Sequence, residues 1–403
     1  MASQSLSIIT CTILLFLLNS PPSFYQTFAK HGYSSVHHQL HNSHDPKKAA
    51  SNPKLRRAYI ALQAWKRVIY SDPFNFTKNW NGPSVCNYSG IYCAPFPNDT
   101  KLQTVAGIDL NFGDIAGFLP DELGLLTDLS LLHLSNNRFC GILPQTLSNL
   151  TRLFELDLSS NRFVGPFPSV VLKLPTLQFL DLRYNEFEGP LPSDLFNKNF
   201  DAVFVNNNRF SSVIPTNIGV SSATVLVLAN NKLAGCLPPS IVNFADTLEE
   251  LLLINMSLTG CLPPQVGYLY KLRVLDVSYN KVIGPVPYSL AGLSRLEQLN
   301  LAHNMFTGRV PAGVCVLPNL ANFTFSYNFF CEEEGICMNL TEKGIAYDDR
   351  RNCLPEKPQQ RSKKECDAVA EHPQECHEYH CSKTNPVFTI AEAPTALASP
   401  PSP

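Results

Sequence analysis

Residues 153–174 read LFELDLSSNRFVGPFPSVVLKL, and the spacing of the apolar letters decides the fold. Leu156 and Leu158 stand two apart, so in a strand both face one side while Glu155, Asp157 and Ser159 face the other. Asn161 follows at a bend, and then come Phe163, Gly165, Pro168, Val171 and Leu174. The same lead-in precedes Asn137, Asn161, Asn185, Asn208, Asn231, Asn280, Asn304 and Asn328, at intervals of 24, 24, 23, 23, 49, 24 and 24 residues. Self-similarity at this period means a solenoid, because one coil cannot bury its own leucines and stacked coils share one core.

Written out, the pattern is LxxLxLxxNx[LF]xGxxPxx[LV], that of a leucine-rich repeat. It predicts an α/β solenoid, a leucine-rich repeat superhelix of about ten plant-type 24-residue repeats from near Leu102 to near Phe330, with disulfide-bonded caps at both ends. The elements Gly165 to Pro168, Gly189 to Pro192 and Gly284 to Pro287 mark the plant type. An asparagine amide both donates and accepts, so at the bend it can satisfy buried backbone groups of the neighbouring coil. Met256 takes that position in one repeat, which doubles one interval and predicts a local irregularity.

With 403 residues and a formal net charge of −2, the chain offers no basic face for a nucleic-acid partner, and none is expected. The apolar run from Leu6 to Leu18 is too short to span a bilayer and leads to small residues near Thr27 and Ala29. Residues 1–29 therefore read as a secretory signal peptide. No second apolar stretch is long enough to cross a membrane, so no membrane insertion is expected. Residues 30–52 hold His31, His37, His38, His41 and His44 at no common ligand spacing and read as a disordered linker, with no metal or cofactor expected.

From Pro53, the residues Leu55, Tyr59, Leu62 and Ile69 recur at helical spacing, which makes residues 53–101 an N-terminal helical cap. The repeats occupy 102–330, a cysteine-rich C-terminal cap or hinge 331–385, and a proline, serine and alanine tail 386–403. Glycosylation triplets stand at Asn75, Asn87, Asn98, Asn149, Asn255, Asn322 and Asn339, which fits passage through the secretory pathway.

Of the 13 cysteines, Cys11 would leave with the signal peptide. Cys86 and Cys93 are spaced for the short loop of the N-terminal cap. Cys236 and Cys261 each sit five residues beyond the repeat's asparagine position, which places them on adjacent coils roughly 4.8 Å apart. That is within bridging range. Cys315, Cys331, Cys337, Cys353, Cys366, Cys376 and Cys381 are odd in number, and Cys140 lies about seven coils, roughly 34 Å, from the first of them. Cys140 is thus expected to be unpaired within the chain, either as a buried thiol or as the link of a disulfide-linked homodimer.

NPKLRRAYIALQAWKRVIYSDPFNFTKNW (52–80) with its Cys86 to Cys93 loop, LSNNRFCGILP (134–144), FVGPFPSVVLKLPTLQFLDLRYNEFEGPLP (163–192), NFTFSYNFFCEEEG (322–335) and DDRRNCLPEKPQQRSKKEC (348–366) together resemble the leucine-rich repeat extensins of plant cell walls. The resemblance runs from about Asn52 to Cys381. It implies a secreted protein of the cell wall or apoplast that binds basic, cysteine-rich peptides of the rapid-alkalinisation-factor type through its repeats and acts in wall integrity and growth. Those proteins continue into a long extensin domain of serine followed by prolines. Here only Ser399 to Pro403 is of that kind, so the chain reads as a short member lacking that domain, soluble in the apoplast.

The outward strand positions of the first four repeats carry Asp109, His133, Glu155, Asp157, Phe179, Asp181 and Arg183, with Tyr184 just beyond. The next three carry Phe204, Val225, Val227, Glu250, Leu252 and Ile254, an apolar run for exposed positions. Acids beside an apolar strip suit a basic peptide, because charge steers the encounter and buried apolar contacts hold it. The strongest candidates are Asp157, Phe179, Asp181, Phe204 and Leu252, flanked by Asp109, Glu155, Arg183, Tyr184 and Val227. A glycan on Asn322 would obstruct the far end of the face, so binding is expected over repeats two to seven.

Two other functions fit the same compartment. One is inhibition of a pathogen wall-degrading enzyme, as by polygalacturonase-inhibiting proteins; the other is a structural role holding pectin through Arg56, Arg57, Lys66 and Arg67. No catalytic residues are expected, since no nucleophile motif or phosphate loop is present. Asp157 and Asp181, roughly 5 Å apart on successive strands, lie on an open face that does not exclude water.

Overall fold

The computed structural model describes residues 52–371 apart from Asn339. The segments read as signal peptide and tail, the linker up to Ser51, Asn339, Cys376 and Cys381 lie outside those residues.

One 12-stranded sheet runs the length of the solenoid. Its first pair, Ile91–Phe96 with Asp99–Asp109, is antiparallel, and from there each strand pairs in parallel with the next coil's. The repeat strands are triplets such as Glu155–Asp157 and Phe179–Asp181. Their central residues stay in register, Leu132 on Leu156 on Leu180, and all three are buried. Leucine therefore meets leucine from coil to coil, which is how units too small to fold alone acquire a common core.

After each triplet the chain turns a corner through a residue with positive φ: 58° at Asn136, 53° at Ser160, 54° at Tyr184 and 59° at Tyr327. It then forms a second short strand on the flank and returns through one 3-10 turn, such as Gln145–Asn149 or Pro264–Tyr268. The helical side of the solenoid is thus built of 3-10 turns until the last coils, where Ala312–Cys315 and Gly335–Met338 are short α-helices. Gly267 is required in the turn Pro264–Tyr268, since a Cβ would lie 2.3 Å from the Ser289 backbone of the next turn.

The asparagines do what their spacing implies. Asn161 donates to the carbonyls of Leu134 (2.8 Å), Leu158 (3.2 Å) and Ser159 (3.0 Å) and accepts from the Phe139 N–H at 2.9 Å. Leu134 and Phe139 belong to the preceding coil, so one buried amide ties two coils together. The ladder runs further than the repeats read from sequence: Asn352, fully buried, accepts from Phe330 N–H and donates to Phe325. The strand Ala346–Asp348 likewise pairs with Asn322–Thr324. Repeat architecture therefore passes the boundary drawn at Phe330. The boundary drawn at 101/102 also falls inside one strand, Asp99–Asp109, which serves both cap and first coil.

Met256 is fully buried, and the irregularity falls around it. A 7-stranded flank sheet ends at Lys232–Ala234, and a separate 3-stranded sheet starts at Ile283–Gly284. Between them only the isolated bridges Gly235 to Leu258 and Cys261 to Ile283 remain. The 12-stranded sheet crosses the same coils unbroken through Val225–Val227, Glu250–Leu252 and Val274–Asp276.

The N-terminal cap is a helix, Pro53–Val68, started by Asn52, whose side chain accepts from the Lys54 and Leu55 N–H groups. Its buried face holds Leu55, Ala58, Leu62 and Trp65. Ile69 lies outside the helix and opens a short strand, Ile69–Ser71, on the flank sheet. Trp65 packs 6.0 Å from Trp80 and 5.7 Å from Phe139, carrying the core into the repeats. Cys86 and Cys93 are bridged, with Cα atoms 5.5 Å apart.

At the other end Cys315 pairs with Cys337 and Cys353 with Cys366. Cys236, Cys261 and Cys140 are also disulfide-bonded. The bond on Cys140 corrects the expectation of a buried free thiol there. The cysteine left free among the described residues is the exposed Cys331.

Candidate ligand-binding face

The triplets present two lanes of side chains on the concave side. One lane runs Asp109, His133, Asp157, Asp181, Phe204, Val227, Leu252, each paired with the next. The other runs Leu131, Glu155, Phe179, Ala202, Val225, Glu250. The predicted candidates are therefore brought onto one surface, but not all of them are accessible.

Asp181 is fully buried. Phe179 and Phe204 lie over it with ring centroids 5.6 Å apart, and the Arg183 guanidinium sits 5.3 Å from the Phe204 ring. Arg183 Nε approaches Asp181 Oδ2 at 2.9 Å as an ion pair without an aligned hydrogen bond. Burial pushes the Asp181 carboxyl well above the usual range, with Asp157 adding to the shift and Arg183 opposing it. Asp181 is thus a part of the face rather than a contact on it. Val227 (6 % exposed), between Phe204 and Leu252, and His133 (8 %), against Glu155, are buried too. Phe179, Phe204, Leu252, Glu155, Asp157, Asp109 and Arg183 are half-buried and Tyr184 is exposed, which leaves a shallower strip than strand alternation alone predicts.

The acids also have a backbone duty that the sequence concealed. The Oδ1 of Asp109, Asp157, Asp181, Asp276 and Asp348 accepts from the N–H two residues on, and Asn300 does the same. Each closes an Asx turn that ends the strand. A carboxylate is not needed for that, since Asn300 suffices, so the charges at Asp109 and Asp157 remain available to a ligand. His133 Nε2 lies 3.0 Å from Glu155 Oε2. Burial lowers the His133 pKa, but the Glu155 hydrogen bond and the charges of Asp157, Glu155 and Asp109 outweigh it, and the net shift is upward.

Beyond Leu252 the face changes character. Asp276, Gln298, Asn300, Asn322 and Thr324 line a cavity of about 70 Å³, and Asn300 Nδ2 donates to Asp276 Oδ2 at 2.9 Å. Along the adjoining corner Tyr279, His303 and Tyr327 stack with ring centroids 4.1 Å apart. Sequence reasoning missed this column. Its signal was an aromatic residue just before the ladder asparagine in successive repeats. Among the basic residues of the cap, Arg56, Arg57 and Arg67 are exposed, whereas Lys66 donates to the Trp80 carbonyl at 3.0 Å.

Among the described residues no group of three or more His, Cys, Asp or Glu could hold a metal ion, and no helix is long and apolar enough to cross a membrane.

A capped parallel-sheet solenoid with an asparagine ladder is a leucine-rich repeat protein, and family models described as leucine rich repeat match residues 127–187, 271–293 and 295–317. The chain belongs more narrowly to the plant leucine-rich repeat extensin-like family. It is 61 % identical over 333 residues to leucine-rich repeat extensin-like protein 6 of Arabidopsis thaliana, covering 82 % of this chain and 70 % of that one. With protein 2 of the same organism it is 56 % identical over 358 residues, covering 88 % of this chain but 46 % of that one. It thus spans about half the length of some relatives. Neither name is that of an enzyme. Among solved structures, the Arabidopsis receptor kinase HAESA, in complex with the peptide hormone IDA and the co-receptor SERK1, matches with TM-score 0.66 and 27 % identity, over 74 % of this chain and 50 % of that one.

Proposed function

We propose that this protein binds a basic, cysteine-rich peptide of the rapid-alkalinisation-factor type on the N-terminal half of its concave face, in the plant cell wall or apoplast, in the service of wall integrity and growth. The observation that carries the reading is the lane in which Asp109 and Asp157 lead into Phe204 and Leu252, with Glu155 and Phe179 alongside. Carboxylates raise the encounter rate of a cationic peptide, and half-buried rings and aliphatics supply the contacts that slow its departure. The likeness to a receptor kinase in complex with a peptide hormone supports a peptide as the ligand class. The extracellular setting is supported by the family and by the number of cysteine bridges, which persist in oxidising compartments.

The test is calorimetric titration of the secreted protein with a panel of basic, cysteine-rich plant peptides, alongside the double variant Asp109→Asn, Asp157→Asn. Nanomolar binding that weakens in the variant and with added salt supports the proposal. No binding across the panel ends it, and loss of polygalacturonase activity on adding the protein at equal amounts would put an inhibitor in its place.

A further inference from the structure

The C-terminal half of the concave face is built differently from the half assigned to the peptide. Its lanes carry Asp276, Asn300 and Thr324 beside Val274, Gln298 and Asn322. One carboxyl, three neutral amides and one hydroxyl line the cavity beside Val274, Leu275 and Leu299, so its chemistry suits a neutral molecule with hydroxyls and an apolar face rather than a cationic peptide. One wall of this cavity is Asn322, and Asn322-Phe323-Thr324 is a glycosylation triplet.

The asparagine is disposed for the modification. It is exposed, and the Thr324 hydroxyl donates to its Oδ1 at 3.1 Å, which leaves Nδ2 clear. At Asn255, by contrast, Nδ2 donates to Asn230 Oδ1 at 3.1 Å. The Asn322 strand pairs directly with Gln298, itself exposed, and Thr324 with Asn300. A group carried on Nδ2 therefore starts at the rim of the cavity, with Gln298 one strand spacing away, roughly 4.8 Å, and Asn300 on the diagonal at roughly 7 to 8 Å.

We propose that Asn322 carries an N-linked glycan whose first sugar seats in the cavity walled by Asp276, Gln298 and Asn300, so that the chain's own carbohydrate covers the C-terminal half of the concave face. In the transfer, Nδ2 forms a bond to the anomeric carbon of a lipid-linked oligosaccharide diphosphate. The carbon–oxygen bond to the diphosphate breaks, the lipid diphosphate leaves, and the amide gives up one proton to the transferring enzyme. The sugar's acetamido and hydroxyl groups then exchange hydrogen bonds with the Gln298 and Asn300 amides and the Asp276 carboxyl. Peptide ligands are confined by this cover to the strip between Asp109 and Leu252.

The inference rests on passage through the secretory pathway, and the experiment separates the two. The full chain is secreted from plant cells held at high-mannose glycans, and the glycopeptides are mapped. The native protein is then trimmed with an endoglycosidase that cuts between the first two sugars. A seated first sugar shields that bond, so the Asn322 glycan is expected to be trimmed at least about tenfold more slowly than the other glycans, with the difference erased in the denatured chain. Gln298→Ala, at an exposed position, should leave occupancy intact and speed the trimming. Equal native rates at Asn322 and elsewhere would overturn the seat. An unmodified Asn322 among modified neighbours would overturn the whole inference while sparing the secretory reading. A chain with no modified triplet would end both.

Discussion

The Oδ1 of Asn280 accepts two backbone N–H groups at once, from Met256 at 3.0 Å and from Leu258 at 3.0 Å. Asn304 and Asn161 accept one each, from Val282 and Phe139. Asn280 thus takes up the backbone N–H of Met256 itself, a second donor beyond the one that Asn304 and Asn161 each serve. Asn280→Ala should strand one more buried donor than Asn304→Ala and cost about 1 to 3 kcal/mol more. Urea unfolding of the two variants checks this, and equal losses would mean that water or a backbone shift supplies the missing partner.

On the concave face, Asp157→Asn keeps an acceptor for the Ser159 N–H, as Asn300 does for Ala302, and removes only the charge. Its melting temperature should stay within a degree or two of the parent while peptide affinity and its salt dependence both fall. Phe204→Ala removes the ring shared by Phe179 and Arg183 and should cost roughly 2 kcal/mol of binding. If Asp157→Asn melts markedly earlier, the acid serves the fold and the binding assignment loses its support.

His133 is predicted to make stability depend on pH. Its pKa in the folded chain lies above the ordinary 6.5, so its pairing with Glu155 stabilises fully below that value and the contribution is lost as pH rises through the folded value. Asp181 runs in the same direction: burial holds its proton, and stability drains away as pH climbs from 3.8 through the raised pKa. The free-energy gap between the parent and His133→Gln, read from urea titrations, should therefore narrow between about pH 5.5 and pH 8. A gap that holds constant or widens over that range refutes the pairing.

The C-terminal cap hangs on Glu333, whose side chain is 2 % exposed. Tyr347 donates to it at 2.5 Å, and Lys357 pairs with both Glu333 and, at 2.6 Å, Asp349. Lys357→Met leaves a buried carboxylate without its cation and should cost about 3 kcal/mol, part of which Glu333→Gln in the same chain restores. Unfolding free energies of the two single variants and the double variant decide it.

For the thiols, iodoacetamide applied to the native, unreduced protein should alkylate Cys331 and spare Cys140, as read by peptide mapping. Alkylated Cys140 would reinstate the unpaired thiol that spacing suggested.

The fold was legible because each asparagine, leucine pair and glycine recurs for a local reason that survives translation along the solenoid. The accessibility of the site was not. Strand alternation places Asp181 and Val227 on the outer side, but whether an outward residue meets solvent depends on the bulk of its neighbours on the adjoining coils, here Phe179, Phe204 and Arg183. Alternation also could not reveal that the recurrent acids serve strand ends, since the recipient N–H lies two residues along. Asn352 escaped notice because Tyr347 and Asp349 stand where the two inward leucines of its lead-in would be.

The two sheets respond differently to bending. The flank is severed between Ala234 and Ile283, whereas the concave sheet passes the same coils intact. A molecule with one continuous edge and one cut edge bends as a leaf spring does, yielding at the cut and holding length along the intact side. Bending would then concentrate on the flank, where single bridges and the disulfide-bonded Cys236 and Cys261 stand in for a ladder, while the continuous sheet would hold the spacing of the ligand-facing strands.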